Sequence, residues 1–186
     1  EGRFSPMKSI DAALRHTLLA LSRSDRFKAL ALRLPLTASV VARFVPGETV
    51  EACLAAVRSL AADGLRASID FLGEDTTSPA QAAAVRDGYL EVLGRLAEEG
   101  LALVAEVSIK LTALGLGLPG GRALALGHAR EICAAAEGAG TTVTVDMEDH
   151  TTTDLTLGIL AELRRDYPDA GGVLQAFTAP GEGRPR

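Results

Sequence analysis

The segment Ala105-Glu106-Val107-Ser108-Ile109-Lys110-Leu111 decides the fold, because its residues alternate strictly in character. Its odd-numbered residues are apolar, whereas the even-numbered residues Glu106, Ser108 and Lys110 are polar. Successive side chains of a β-strand point to opposite faces. The segment therefore predicts a strand with one face on a hydrophobic layer and the other carrying charged and hydrogen-bonding groups.

The same alternation recurs in three further segments. Together with the first segment, which lies in a predicted strand at 102–111, they give predicted strands at 65–72, 142–147 and 173–177. The apolar faces comprise Ala67, Ile69, Phe71, Val107, Ile109, Leu111, Val143, Val145, Met147, Leu174 and Ala176. The opposite faces comprise Ser68, Asp70, Glu106, Ser108, Lys110, Thr144, Asp146, Glu148, Val173, Gln175 and Phe177. A sheet covered by helices on both faces would be apolar on both, whereas a barrel that lines a site carries polar groups inside, near its top. The pattern favours the barrel.

Amphipathic helices are predicted between these strands. The first starts at Val50 and stops at Gly64; the second follows the cap Ser78, with Gln81 bonding back to that cap. Val85, Tyr89, Val92 and Leu96 line the buried face of the second helix. A third helix ends at Gly138 or Gly140, and a fourth, Thr153–Asp166, buries Leu155, Ile159 and Leu163. The predicted fold is α/β, of the (β/α)8-barrel type, with about four β/α units preceded by N-terminal helices in residues 1–46.

Composition and motifs exclude several classes of function. A net charge of −5 argues against nucleic-acid binding. The two cysteines lack CxxC spacing and the three histidines are scattered, so neither a disulfide nor a metal site is predicted. The Gly115-Leu116-Gly117 string lacks the third glycine of a dinucleotide-binding loop. No apolar run reaches membrane-span length and no signal peptide is recognisable, which predicts a soluble cytoplasmic protein.

Lys110, Asp70, Asp146 and Gln175 converge at the carboxyl ends of the predicted strands. Left unpaired, such buried groups would cost several kcal/mol, so they either satisfy one another or meet a ligand. For any one of them a structural ion pair is the simpler explanation. All four together, at the end where barrel enzymes carry their chemistry, favour a functional site.

Five strings of residues lie in register along the chain. They are Arg43-Phe44-Val45-Pro46-Gly47-Glu48-Thr49, Ser68-Ile69-Asp70-Phe71-Leu72-Gly73-Glu74, Val107-Ser108-Ile109-Lys110-Leu111-Thr112, Val145-Asp146-Met147-Glu148-Asp149 and Val173-Leu174-Gln175-Ala176-Phe177. In order and spacing they resemble the proline dehydrogenase family in its short bacterial monofunctional form. The resemblance implies a distorted (β/α)8 barrel that uses FAD to oxidise L-proline to Δ1-pyrroline-5-carboxylate. It also implies that electrons pass to a quinone, with peripheral contact at the inner membrane, as the first step of proline degradation to glutamate.

The resemblance also implies roles for individual residues. Lys110, from the family's K-L-T string, is catalytic and contacts the substrate region. Asp146, from the D-M-E-D string, lies in the active site, and Met147 lies next to the flavin. Gln175, from the L-Q-A-[YF] string, bonds the isoalloxazine. A cationic Lys110 would offset the charge of the proline carboxylate or of reduced flavin, and Asp146 could hold that lysine in place; the plainer alternative is an ion pair that only closes the barrel interior.

The predicted organisation is a helical segment at 1–46, the first half of the barrel at 47–178, and a tail at 179–186 that resembles no element of the family. We therefore expect a truncated or frameshifted form whose activity is uncertain and which self-associates. Two other functions stay open. One is a non-catalytic half-barrel that assembles through open sheet edges. The other is a different barrel enzyme that uses Lys110 as a Schiff-base amine.

Overall fold

The computed structural model describes residues 45–72 and 76–174, and those from Thr49 onward belong to one compact unit. The helices predicted before residue 47, the tail at 179–186 and Gln175 lie outside the described residues. Helices and strands alternate in the order α1 (Val50–Ala62), β1 (Ala67–Asp70), α2 (Pro79–Glu98), β2 (Ala105–Ile109), α3 (Gly121–Ala139), β3 (Val143–Val145), α4 (Thr153–Asp166) and β4 (Gly171–Gly172).

The four strands form one parallel sheet in the order β1-β2-β3-β4. Ile69 aligns with Val107, and Val107 aligns with Val143. A doubly wound sheet reverses its strand order at a switch point, whereas a barrel adds each strand beside the previous one. The described strands show no reversal, so the architecture is the predicted one: successive β/α units of a partial (β/α)8 barrel.

The helix boundaries follow the predicted capping residues. The side chain of Ser78 accepts a hydrogen bond from Gln81 N at 3.3 Å, and Pro79 occupies the first helical position. Gln81 Oε1, however, bonds to Thr77 N at 2.8 Å, so the side chain reaches one residue beyond the expected cap. Gly140, with φ +82, ends α3 in the left-handed conformation that glycine adopts without strain.

The hydrophobic core lies between the helices and the predicted apolar face of the strands. Its fully buried members include Leu54, Leu93, Leu96, Val107, Ile109, Leu111, Ile132, Val145, Ile159 and Leu163. Leu155 was expected to be buried, and that prediction is wrong, since the residue is 44% exposed. The buried face of α4 runs through Thr156, Ile159 and Leu163, at the i, i+3, i+7 spacing of a helix, and Leu155 lies at the edge of that face in the first turn.

The fourth strand differs from its prediction. Pairing with β3 involves Gly171 and Gly172, and continues through a hydrogen bond from Val173 N to Val145 O at 3.0 Å. A Cβ on Gly172 would lie 2.4 Å from Leu160 Cδ2, so any other residue at this position would require the Leu160 side chain to shift. An apolar pattern cannot reveal a strand made of glycines, and the predicted strand at 173–177 is described only as far as Leu174.

None of the described helices is long and apolar enough to cross a membrane.

Candidate active site

The carboxyl ends of the first three strands bring polar side chains together. Asp70 ends β1 and aligns with Ser108 on β2, while Lys110 directly follows β2. Asp146 directly follows β3, and its N–H donates to Ile109 O at 2.9 Å, so the pairing of β2 with β3 continues past the end of the strand. Of the four residues predicted to converge, Asp70, Lys110 and Asp146 thus lie at one edge of the sheet, together with Ser108, and Gln175 lies outside the described residues.

The ammonium of Lys110 forms an ion pair with Asp70 Oδ2. The two side chains are 17% and 31% exposed, which leaves the pair partly screened by water. The sequence suggested Asp146 as the residue that holds Lys110, and the structure shows Asp70, on the opposite neighbouring strand, in that position. Lys110 is therefore anchored from β1.

The Asp146 side chain is held by a residue of β2. Its Oδ1 accepts a hydrogen bond from Ser108 Oγ at 2.7 Å. Ser108 is buried, with 7% exposure, so its hydroxyl has little competition from water. Asp146 and the Asp70–Lys110 pair are thus both tied to β2, one through Ser108 and the other through Lys110. The alternation of residues along β2 predicts that Ser108 lies on the polar face but does not indicate this role.

A buried tyrosine supports the same strand ends from the helix layer. Tyr89, on α2, is 2% exposed, as its position on the predicted apolar face implied. Its hydroxyl accepts from Phe71 N at 3.1 Å and donates to Ser108 O at 2.7 Å. Burial raises the pKa of Tyr89, so the phenol keeps its proton as a donor. Helical periodicity indicated that the ring is buried but could not show what the hydroxyl reaches.

The acidic string after Asp146 serves local structure. Glu148 Oε2 accepts from Thr112 N at 3.1 Å, which ties the loop after β3 to the loop after β2. Asp149 Oδ1 accepts from Thr151 N at 2.6 Å, and this side chain's bonds to Thr151 lower the pKa of Asp149. Within the described ranges, no group of three or more His, Cys, Asp or Glu could hold a metal ion.

The remaining predicted cofactor contacts are only partly described. Met147 is half-buried and directly follows Asp146, whereas Gln175 lies outside the described residues. At the ends of β1 to β3 the polar face offers the Lys110 ammonium and the carboxylates of Asp70 and Asp146. Such a set can bind an anionic group at Lys110 and a cationic group at a neighbouring carboxylate.

Comparison with known proteins finds a family model and relatives that are described as proline dehydrogenase. A family model described as proline dehydrogenase matches residues 53–182. Proline dehydrogenase 1 of Bacillus subtilis is 36% identical over 168 residues, which cover 88% of this chain and 53% of the relative. Proline dehydrogenase of Deinococcus radiodurans is 33% identical over 171 residues, covering 90% of this chain and 54% of the relative. The chain spans about half the length of these curated relatives.

Two solved structures share the fold. Proline utilization A from Bdellovibrio bacteriovorus, inactivated by N-propargylglycine, matches with a TM-score of 0.68 and 22% identity over 75% of this chain and 17% of that protein. Proline utilization A from Corynebacterium freiburgense matches with a TM-score of 0.62 and 23% identity over 89% of this chain and 17% of that protein. At such identities the likeness concerns the fold.

Proposed function

The chain belongs to the proline dehydrogenase family, and on that premise we propose that the protein carrying it oxidises L-proline to Δ1-pyrroline-5-carboxylate, with FAD as cofactor. The observation that carries the proposal is the cluster of Asp70, Ser108, Lys110 and Asp146 at the carboxyl ends of three neighbouring parallel strands. Barrel enzymes carry their chemistry at this edge, which supports the proposal.

Lys110 is the proposed anchor for the substrate carboxylate. An ammonium that is already held by Asp70 keeps its position before substrate arrives, so a carboxylate meets a fixed charge. Charge-assisted hydrogen bonds of this kind are about twice as strong as neutral ones.

Asp146 is the proposed partner of the substrate amine. Proline at neutral pH carries both a carboxylate and a secondary ammonium group, and Lys110 and Asp146 offer one charge of each complementary sign. The hydrogen bond from Ser108 keeps the Asp146 carboxylate oriented, which limits the entropy lost on binding.

The residue types at these strand ends fit a flavin. Lys110 would supply a positive charge for the electron-rich reduced ring, and the half-buried Met147, which the family resemblance puts next to the flavin, would supply an apolar, polarisable surface. Gln175 would add a side-chain amide that can both donate and accept at the polar edge of the ring. When bound, FAD supplies the acceptor for the hydride equivalent removed from the substrate. The further proposals of a quinone acceptor and of peripheral membrane contact depend on the family resemblance alone.

The Schiff-base alternative is less well supported. A lysine that attacks a carbonyl must first lose its proton, and such lysines lie in apolar pockets or beside another cation. Lys110 instead forms an ion pair with Asp70, so its described neighbour is an anion rather than a cation.

The test is an assay of the complete gene product that carries this chain, purified with added FAD. We expect the absorbance bands of a flavoprotein and reduction of an artificial dye that depends on L-proline. Treatment with borohydride and a carbonyl substrate, followed by mass spectrometry of the Lys110 peptide, tests the alternative. A product with neither flavin absorbance nor proline-dependent dye reduction would contradict the proposal, and trapping on Lys110 would replace it.

A further inference from the structure

The backbone hydrogen bonds between β1 and β2 are interrupted at one point by a side chain. Near the start of the pair, Ala67 N donates directly to Val104 O at 2.9 Å. Parallel pairing repeats every two residues, so the same series ends in a direct bond from Phe71 N to Ser108 O. Instead, Phe71 N donates to the Tyr89 hydroxyl at 3.1 Å, and that hydroxyl donates to Ser108 O at 2.7 Å. The hydroxyl occupies the place of one bond between the strands.

The neighbouring strand pairs continue without such an insertion. Asp146 N bonds directly to Ile109 O at 2.9 Å, just past the end of β3. Val173 N bonds directly to Val145 O at 3.0 Å, just past β4. Among the strand ends that the structure describes, a side-chain hydroxyl therefore lies between the backbones only at the ends of β1 and β2.

The insertion coincides with the polar cluster. Asp70 directly precedes Phe71, and Lys110 lies two residues after Ser108, so the ion pair Asp70–Lys110 spans the two strand ends that the hydroxyl separates. The Tyr89 hydroxyl also lies 3.4 Å from Asp70 Oδ1. The spacing of the strand ends fixes where both charged side chains emerge, so the ion pair depends on what lies between the strands.

The ring of Tyr89 is fixed by its surroundings. It packs against Phe71 with a centroid distance of 6.0 Å and an angle of 53°. On the same helix, a Cβ on Gly88 would lie 3.0 Å from Phe71 Cε2, so glycine allows Phe71 to lie close to α2. Close packing of this kind gives the hydroxyl one position rather than several.

We propose that Tyr89 is a positioning residue, whose hydroxyl holds the ends of β1 and β2 apart and thereby sets the geometry of the Asp70–Lys110 pair. Tyr89 acts through these residues and does not itself touch the substrate. The use of the pair in proline oxidation rests on the proposed function, whereas the dependence of the pair on Tyr89 does not.

The test compares Tyr89→Phe with Tyr167→Phe, which removes the hydroxyl of the chain's other tyrosine, at the end of α4. The local measurement is the rate at which an excess of acetic anhydride acylates Lys110 at one pH, read by mass spectrometry of its peptide. Asp70→Asn, which removes the partner charge, should raise that rate about fivefold, the factor expected for an interaction of about 1 kcal/mol. Tyr89→Phe should raise it about threefold or more, and Tyr167→Phe should leave it unchanged.

A second measurement uses the unmodified protein, so that the test survives if Tyr89→Phe does not fold. The Phe71 amide should exchange its hydrogen much more slowly than the amide of the exposed Leu72, because it is bonded to the Tyr89 hydroxyl. An unprotected Phe71 amide would overturn the proposal, as would a folded Tyr89→Phe protein in which Lys110 reacts at the normal rate. A normal rate in Asp70→Asn would also overturn it, because the ion pair would then not govern Lys110.

The functional measurement is proline-dependent dye reduction. We expect Tyr89→Phe to lower kcat by about tenfold or more, since small displacements of a positioned group have effects of that size, with a smaller change in KM. Unchanged kcat in a folded variant would contradict a positioning role. Absence of turnover in the unmodified protein would instead count against the proposed function, and the labelling of Lys110 would still decide the role of Tyr89.

Discussion

Lys110 is the side chain on which the proposed chemistry depends most directly. We expect Lys110→Met to lower kcat/KM for proline by at least about tenfold, because removing one positioned group of this kind typically costs about 3 kcal/mol of transition-state stabilisation. Methionine keeps most of the length and apolar contact of the lysine stem, so the fold should survive. Arg130→Met is the matched control, since it removes a positive charge from the outer surface of α3. Equal kinetics in the two variants would show that Lys110 is only structural.

The sequence predicted which residues face the site but not how they pair. Strict alternation along each strand is enough to assign Asp70, Ser108, Lys110 and Asp146 to one face, because the period of a strand is two. Lys110 then has an aspartate on each neighbouring strand, and the choice between them depends on side-chain geometry. The hydrogen bond from Ser108 to Asp146 and the hydrogen bonds of the Tyr89 hydroxyl also depend on side-chain geometry, so the sequence could not predict them.

The two cysteines differ in their expected reactivity. Burial raises the pKa of the Cys133 thiol to about 11, and Cys133 is only 3% exposed. Burial also raises the pKa of Cys53, which is less enclosed. Because the thiolate is the reactive form, Cys53 should react with a maleimide at pH 8 before Cys133 does. Single Cys→Ser variants assign the two rates, and faster labelling of Cys133 would contradict its burial.

Among the helices, α4 should be held against the core by a narrow apolar face. Ile159 is fully buried, whereas Leu155, one turn earlier, is 44% exposed. Ile159→Ala should lower the free energy of unfolding by about 2–5 kcal/mol, as cavity-forming substitutions do. Leu155→Ala should change it by about 0.5 kcal/mol or less. Urea unfolding of both variants measures this difference, and equal losses would mean that the buried face of α4 is assigned incorrectly.

Ion pairs join each outer helix to the next one. Arg58 pairs with Glu99 between α1 and the end of α2, Arg86 pairs with Glu131 between α2 and α3, and Arg122 pairs with Glu162 between α3 and α4. The hydrogen bond from Arg58 lowers the pKa of Glu99, and that from Arg122 lowers the pKa of Glu162, both from 4.5. Sequence periodicity places such residues on exposed faces but does not identify their partners.

These pairs predict how stability depends on pH. A carboxyl group whose pKa is lower in the folded state stabilises the fold above its unfolded pKa, and that contribution disappears as pH falls through the folded pKa. Stability should therefore decline below about pH 4.5, and less steeply when Glu99 and Glu162 are both replaced by Gln. Thermal unfolding between pH 3 and 6 measures the slope, with Glu98→Gln as the control. An unchanged slope in the double variant would show that the pairs do not form in solution.

For the molecule as a whole, the regular sequence patterns predicted the order of helices and strands, but they did not predict the strand that is made of glycines. Helix caps, alternation and order along the chain were enough to predict successive parallel β/α units, because each follows from local chemistry. β4 consists instead of Gly171 and Gly172, which leave no trace in an apolar pattern. The predicted pairing of Lys110 with Asp146 was wrong for a related reason, since the choice between Asp146 and Asp70 depends on how the strands lie beside one another.

The sheet has an outer edge whose chemistry can be tested in the 186-residue chain by itself. Among the described residues, no strand pairs with β1 on the side away from β2. Ala67 N–H points to β2, and successive N–H groups of a strand alternate in direction, so Ser68 N–H points outward. An open edge of this kind recruits other strands. The four strands in the described part of the chain are half the number that a (β/α)8 barrel requires.

We therefore predict that the isolated 186-residue chain self-associates and does not turn over proline. Ser68→Pro should reduce the association, because proline removes an outward donor and is tolerated on an edge strand. Ile69→Pro is the matched control, since it removes an N–H that points to β2 and should destabilise the sheet itself. Sedimentation velocity measures association, circular dichroism measures folding, and the dye assay measures turnover. A monodisperse monomer that unfolds cooperatively and oxidises proline would contradict the prediction, and would mean that four β/α units form a working catalyst without further strands.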